Sequence, residues 1–280
     1  MFDLTLIRIF LLVLGSALAS YTDLKTGLIY DKITYPMIAL GLVFTLISEN
    51  LAPNLLLGAI VFAVGYFLYF TGKIGGGDVK LFTGITLLMP FFNSKIPFVL
   101  STVFYSGLIS VVILSIYYVI KYAGKGIDFK YNQRGMIKSS LLGVAFLVYF
   151  IVLSRFAFFP LQSLALLAVP LFFGLIFFAL EKGIRKEFFV QRIPLKELEE
   201  DEIIAWDFVD SKLKEALDFK GKNILGKKEI NKLAEMDLTE IEVYRNLPKF
   251  APFIFFGVLF SLLYPSFLDS FFFLKMNSLF

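Results

Sequence analysis

The chain alternates long apolar runs with short polar joints. A membrane-crossing helix takes roughly 20 apolar residues. On that scale the candidate spans are Leu4–Ser20, Tyr35–Ile47, Asn54–Thr71, Leu81–Phe92, Pro97–Ile120, Ser139–Leu153, Leu161–Leu180 and Phe250–Tyr264. Leu81–Phe92 is short. It becomes longer if Asp78–Lys80 begin the helix, and otherwise sits tilted or against other helices. Ser139–Leu153 and Phe250–Tyr264 are also short. The pattern predicts an all-α polytopic membrane protein of about eight helices, or six plus short or re-entrant ones.

One segment breaks the pattern. Residues 181–249 hold 14 Lys/Arg and 16 Asp/Glu, so 69 residues carry 30 of the chain's 50 charges. This is a small cytoplasmic α/β insert. Ile230, Leu233 and Met236 share a helical face, and Leu238–Val243 leads into a strand. Trp206, the one tryptophan, is a packing residue of this unit. The charge run Lys196–Glu202 is a solvated face. The expected organisation is a membrane domain at 1–180, the insert at 181–249, a last transmembrane helix at 250–266 and an extracytoplasmic tail at 267–280.

Basic residues orient the helices. The loops after odd-numbered spans, without the long insert, hold nine Lys/Arg, against four on the other side. The positive-inside rule puts those loops in the cytoplasm and both termini outside. Ala17-Leu18-Ala19 could end a signal peptide, but a start with one Arg and one Asp suits an uncleaved first helix better.

Composition then limits the chemistry. Of 280 residues, 58% are hydrophobic and 18% are charged. That excludes an ordinary soluble enzyme and a disordered chain. With no Cys and no His, thiolate nucleophiles, Ser–His pairs and the common zinc sites are excluded. The pI near 9 belongs to membrane loops, and no nucleic-acid partner is expected.

Seven acidic residues lie outside the insert: Asp3, Asp23, Asp31, Glu49, Asp78, Asp128 and Asp269. Asp23 follows the first span. Asp78 closes the tract Gly75-Gly76-Gly77-Asp78, where successive glycines suit a sharp turn or a close approach. Each has a plain structural reading: Asp23 as a loop carboxylate paired with Lys25, and Asp78 as the N-cap of the next helix. Together they suggest two carboxylates that share a proton and activate water, with no metal or cofactor needed.

Gly75-Gly76-Gly77-Asp78-Val79-Lys80-Leu81 resembles the GxGD signature of membrane aspartic peptidases. It is closest in form to the GxGDxKL of archaeal type IV prepilin and preflagellin peptidases. Asp23-Leu24-Lys25-Thr26 with Ile29 resembles the partner motif of that family. Leu225–Ile230, Leu233 and Asn246-Leu247-Pro248 resemble the soluble extension of archaeal members.

The resemblance implies a membrane aspartic endopeptidase acting on precursors with class III signal peptides. Such precursors carry a basic leader that is cut at the cytoplasmic membrane face. The catalytic pair maps onto Asp23 and Asp78, and Gly75 and Gly77 shape the turn. Lys25 and Lys80 either tune the carboxyls or, as the plainer reading has it, mark the inner surface beside lipid phosphates. Where many members have Ile-Pro-Asn, this chain has Ile29-Tyr30-Asp31, and Asp31 is taken as solvated charge. Without a Cys-rich segment, peptidase activity alone is expected. The long chain and large insert favour a prepilin-type substrate, and the acidic insert suits docking of a basic leader. The competing reading is a proton-coupled transporter with Asp23 and Asp78 as relay carboxylates.

Overall fold

The computed structural model describes residues 4–155, 161–199, 202–209, 225–226, 230–231, 233 and 239–269. Eight helices follow the apolar runs. They are α1 (Leu4–Thr26), α2 (Asp31–Leu46), α3 (Leu51–Phe70), α4 (Gly76–Leu88), α5 (Phe98–Lys125), α6 (Phe129–Arg155), α7 (Leu161–Phe188) and α8 (Ala251–Leu263). Among the described residues, α1, α3, α5, α6 and most of α7 are long and apolar enough to cross a membrane. The protein is a multi-pass, all-α membrane protein.

Several boundaries differ from the sequence reading. The first helix continues through Thr26, so Asp23 lies in its last turn rather than in a loop. It stops where Gly27, at φ +74°, donates its N–H to the Asp23 carbonyl at 2.8 Å. This left-handed terminator costs little at glycine. α4 begins at Gly76 and ends at Leu88, and its 13 residues make a rod of about 20 Å, too short to span. α5 and α6 extend into the basic stretch between them, leaving only residues 126–128 as a joint. α7 runs eight residues past Leu180.

α4 is the centre of the first half. It packs against α2 and α3, and more lightly against α1. Leu81, Ile85 and Leu88 are fully buried in one cluster with Leu12 of α1, Met37 of α2 and Ile254 of α8. Close approach is needed at Gly41, where a Cβ would lie 2.6 Å from the Cβ of Leu87. Small residues perform this service widely between membrane helices, where lipid gives no hydrophobic drive to association.

α8 joins the two halves. It packs on α1 and on α5, while α5 packs on α7 and α7 on α6. Gly257 faces the backbone of α5 so closely that a Cβ would meet the Thr102 carbonyl oxygen at 2.6 Å. Far from the site, Ser94 and the Lys95 amide bind the Asp269 carboxylate, which ties the α4–α5 loop to the segment after α8.

The insert contains a three-stranded antiparallel sheet, β1 (Val190–Pro194), β2 (Ile203–Ile204) and β3 (Glu240–Tyr244), in the order β1-β3-β2. Ile241 and Val243 alternate inward along β3 and are fully buried. They share a core with Ile193, Ile204, Leu225 and Leu233, against which Trp206 and Ile230 pack. Trp206 is thus a packing residue, as expected. Ile230 and Leu233 are helical, and Met236 lies outside the described residues, as does most of the 267–280 tail.

Gly257→Ala tests the α5–α8 contact. The added methyl has nowhere to go, so stability in detergent should fall by about 1–3 kcal/mol. Gly107→Ala, in α5 with open space around the position, should not destabilise. Denaturant unfolding of both variants checks this, and equal stability would remove the proposed crowding.

Candidate active site

Asp23 and Asp78 come from different helices and lie close enough at one end of the bundle for the charge of Asp23 to act on Asp78. Asp23 sits in the last turn of α1 and is 6% exposed. Asp78 sits in the first turn of α4. The link after α1 brings them together: Ile29 packs against Gly77, where a Cβ would come within 2.8 Å of the Ile29 Cβ. Gly77 is therefore required by close approach. Gly76 and Gly77 are helical, and none of Gly75, Gly76 and Gly77 has positive φ. The tract is a tight contact rather than a strained turn.

Asp78 is not the N-cap of α4. Gly75 holds that position, and Asp78, three residues on, returns its Oδ2 to the Gly75 N–H at 3.3 Å. Acidic residues in a first turn suit the positive end of the helix dipole. The geometry commits Oδ2 as an acceptor.

Asp23 is held in a parallel way from a distant part of the chain. Its Oδ2 accepts the backbone N–H of Ala251, the first residue of α8, at 3.0 Å, and the Phe250 amide adds to it. α8 has no capping side chain of its own from Phe250. The Asp23 carboxylate takes that place from 228 residues away. Lys249 stands beside it: its Nζ donates to the Leu24 carbonyl in the last turn of α1, and its charge acts on Asp23.

The electrostatics couple the two acids. The Asp78 pKa is pushed up to about 6, first by burial and then by the negative charge of Asp23, with the Gly75 hydrogen bond pulling the other way. Burial disfavours a carboxylate, and so does a like charge nearby.

The remaining motif residues are placed around this pair. Lys80 does not serve Asp78. Its Nζ lies 2.5 Å from Asp31 Oδ1 and over the ring of Tyr35, on the exposed side of α2 and α4. Asp31 is exposed and engaged with that lysine. Lys25 lies over the ring of Tyr21, and Asp23 finds its cation in Lys249 instead. The sequence reading missed Lys249 and the amide of Ala251. Their only signal was a lysine just ahead of the last apolar run. Among the described residues, no cluster of three or more acidic groups could hold a metal ion.

Comparison with known proteins concerns this same region. The type IV leader peptidase family matches residues 10–119. The prepilin peptidase EppA of Methanothermobacter thermautotrophicus is 37% identical over 100 residues, which are 33% of this chain and 26% of that protein. The preflagellin peptidase of Methanocaldococcus jannaschii is 33% identical over 90 residues, 30% of this chain and 38% of that protein. The chain thus spans about a quarter and about two-fifths of the length of these two relatives. Over residues 10–119, the stretch that holds both Asp23 and Asp78, the chain is similar to the type IV leader peptidase family.

Proposed function

We propose that this chain is a membrane aspartic endopeptidase. It cuts the basic leader from precursors with class III signal peptides, prepilin-like or preflagellin, at the cytoplasmic face of the membrane. One observation carries the reading. Two aspartates 55 positions apart in sequence lie within electrostatic reach of each other, each with one carboxylate oxygen tied to a helix-terminal amide.

The roles divide by environment. Asp78, with its raised pKa, holds the shared proton. Asp23, beside Lys249 and the first amides of α8, is the base. A water between them gives a proton to Asp23 as its oxygen attacks the scissile carbonyl carbon. Asp78 gives its proton to the carbonyl oxygen, leaving a neutral tetrahedral gem-diol. As the C–N bond breaks, Asp23 passes its proton to the leaving nitrogen. Asp78 takes one back from the diol, so both groups end as they began. General acid–base catalysis of this kind needs no cofactor.

The excess of basic residues in the loops on this side of the helices supports a cytoplasmic position for this end of the bundle. The insert begins and ends there. Its 16 acidic against 14 basic residues suit docking of a basic leader.

Asp23→Asn and Asp78→Asn should each abolish cleavage of a leader-bearing precursor in detergent while leaving the fold intact. Full cleavage by either variant would defeat the pair. Because the reaction needs Asp78 protonated, the rate should fall as pH rises through about 6. A rate that keeps climbing from pH 5 to 8 would contradict that role.

A second measurement isolates the coupling. Removing the charge of Asp23 removes a repulsion that raises the Asp78 pKa. Carbon-13 carboxyl titration of Asp78 should therefore move to lower pH in Asp23→Asn. An unmoved titration would mean the two groups do not sense each other.

A further inference from the structure

The family similarity ends at residue 119, and the contacts that hold Asp23 come from residues 249–251. We propose that Lys249 and the first turn of α8 are a positioning device for Asp23, so that the segment after the insert completes the active site. The inference rests on the two-aspartate reading above.

A carboxylate in the last turn of a helix can rotate about its side-chain bonds. Here Oδ2 is fixed by the Ala251 N–H at 3.0 Å. A backbone N–H can only donate, so that oxygen is committed as an acceptor. Oδ1 is left to exchange a proton with water. The donor is itself immobile. Ala251, Ile254 and Val258 of α8 are fully buried in the cluster that includes Leu12 and Ala19 of α1, and Gly257 locks α8 against α5.

Lys249 strengthens the same arrangement from the side. Its ammonium binds the Leu24 carbonyl, one of the acceptors left open at the end of α1. It therefore joins the end of α1 to the start of α8, with Asp23 between them. A carboxylate that accepts a helix-terminal amide next to a cation is held by charge-assisted bonds, which are stronger than neutral ones. The device thus sets the orientation of Asp23 without touching the substrate.

The test uses the full-length chain in lipid nanodiscs and a leader-bearing precursor. Replacing Ala251 by its hydroxy-acid analogue, lactate, turns one amide into an ester and deletes only the N–H. That variant and Lys249→Gln should each lower kcat about 10-fold to 100-fold, the scale of one hydrogen bond to a charged group. KM should stay within about twofold, because ground-state binding is unaltered. Lys249→Arg should restore most of the rate. Wild-type kcat per folded molecule in the ester variant, or a loss that appears in KM alone, would overturn the proposal. Asp23→Asn run alongside separates the two ideas. If it still cleaves, the two-aspartate reading fails. If it is silent while the ester and Lys249→Gln variants cleave normally, only the positioning role fails.

Discussion

The structure depends on holding a buried carboxylate, Asp23, and a half-buried one, Asp78, within electrostatic reach of each other in a chain with no histidine and no cysteine. Burial disfavours the charged form of a carboxylate. The chain answers with helix ends. Asp78 folds back onto the amide that opens α4, and Asp23 reaches the amide that opens α8. Each contact supplies a fixed donor at the positive end of a helix dipole. The rest of the membrane bundle serves to keep those two N-termini where they are. α4 is packed among α2, α3 and α1, and α8 is held between α1 and α5.

This explains why small residues gather in the helices around the pair. Gly41, Gly65 and Gly77 each allow a contact to α4 or its start that a methyl would obstruct, and Gly257 does so for α8. A site built from helix termini is only as well placed as the helices that carry it. Close packing therefore acts on the site through the backbone.

Much of this was legible in the sequence, and the parts that were not have physical causes. Apolar runs located the helices α1 to α8, because a span must bury or satisfy every backbone polar group within itself. They misjudged the ends. Lys25, Lys121 and Lys125 read as loop charges, yet lie on helices whose last turns emerge from the apolar zone. Asp23 and Asp78 were found from local motifs. Lys249 and the Ala251 amide were not, since a backbone N–H has no sequence signature and 228 residues separate it from its acceptor. Lys80 had two readings, a tuner of Asp78 or a cation of the inner surface, and neither named its partner. Proximity in sequence to Asp78 suggested a partnership, while the fold turns the lysine outward to Asp31.

The short length of α4 and α8 has one more consequence. Each has 13 residues, about 20 Å, against a hydrocarbon core of roughly 30 Å. The long helices beside them match the bilayer, and these two fall short of it by about 10 Å. Bilayers meet such hydrophobic mismatch by thinning locally. The helices whose first amides hold the two carboxylates are thus the ones at which the membrane is drawn inward. Lipid thickness becomes part of the environment of a site otherwise built from protein.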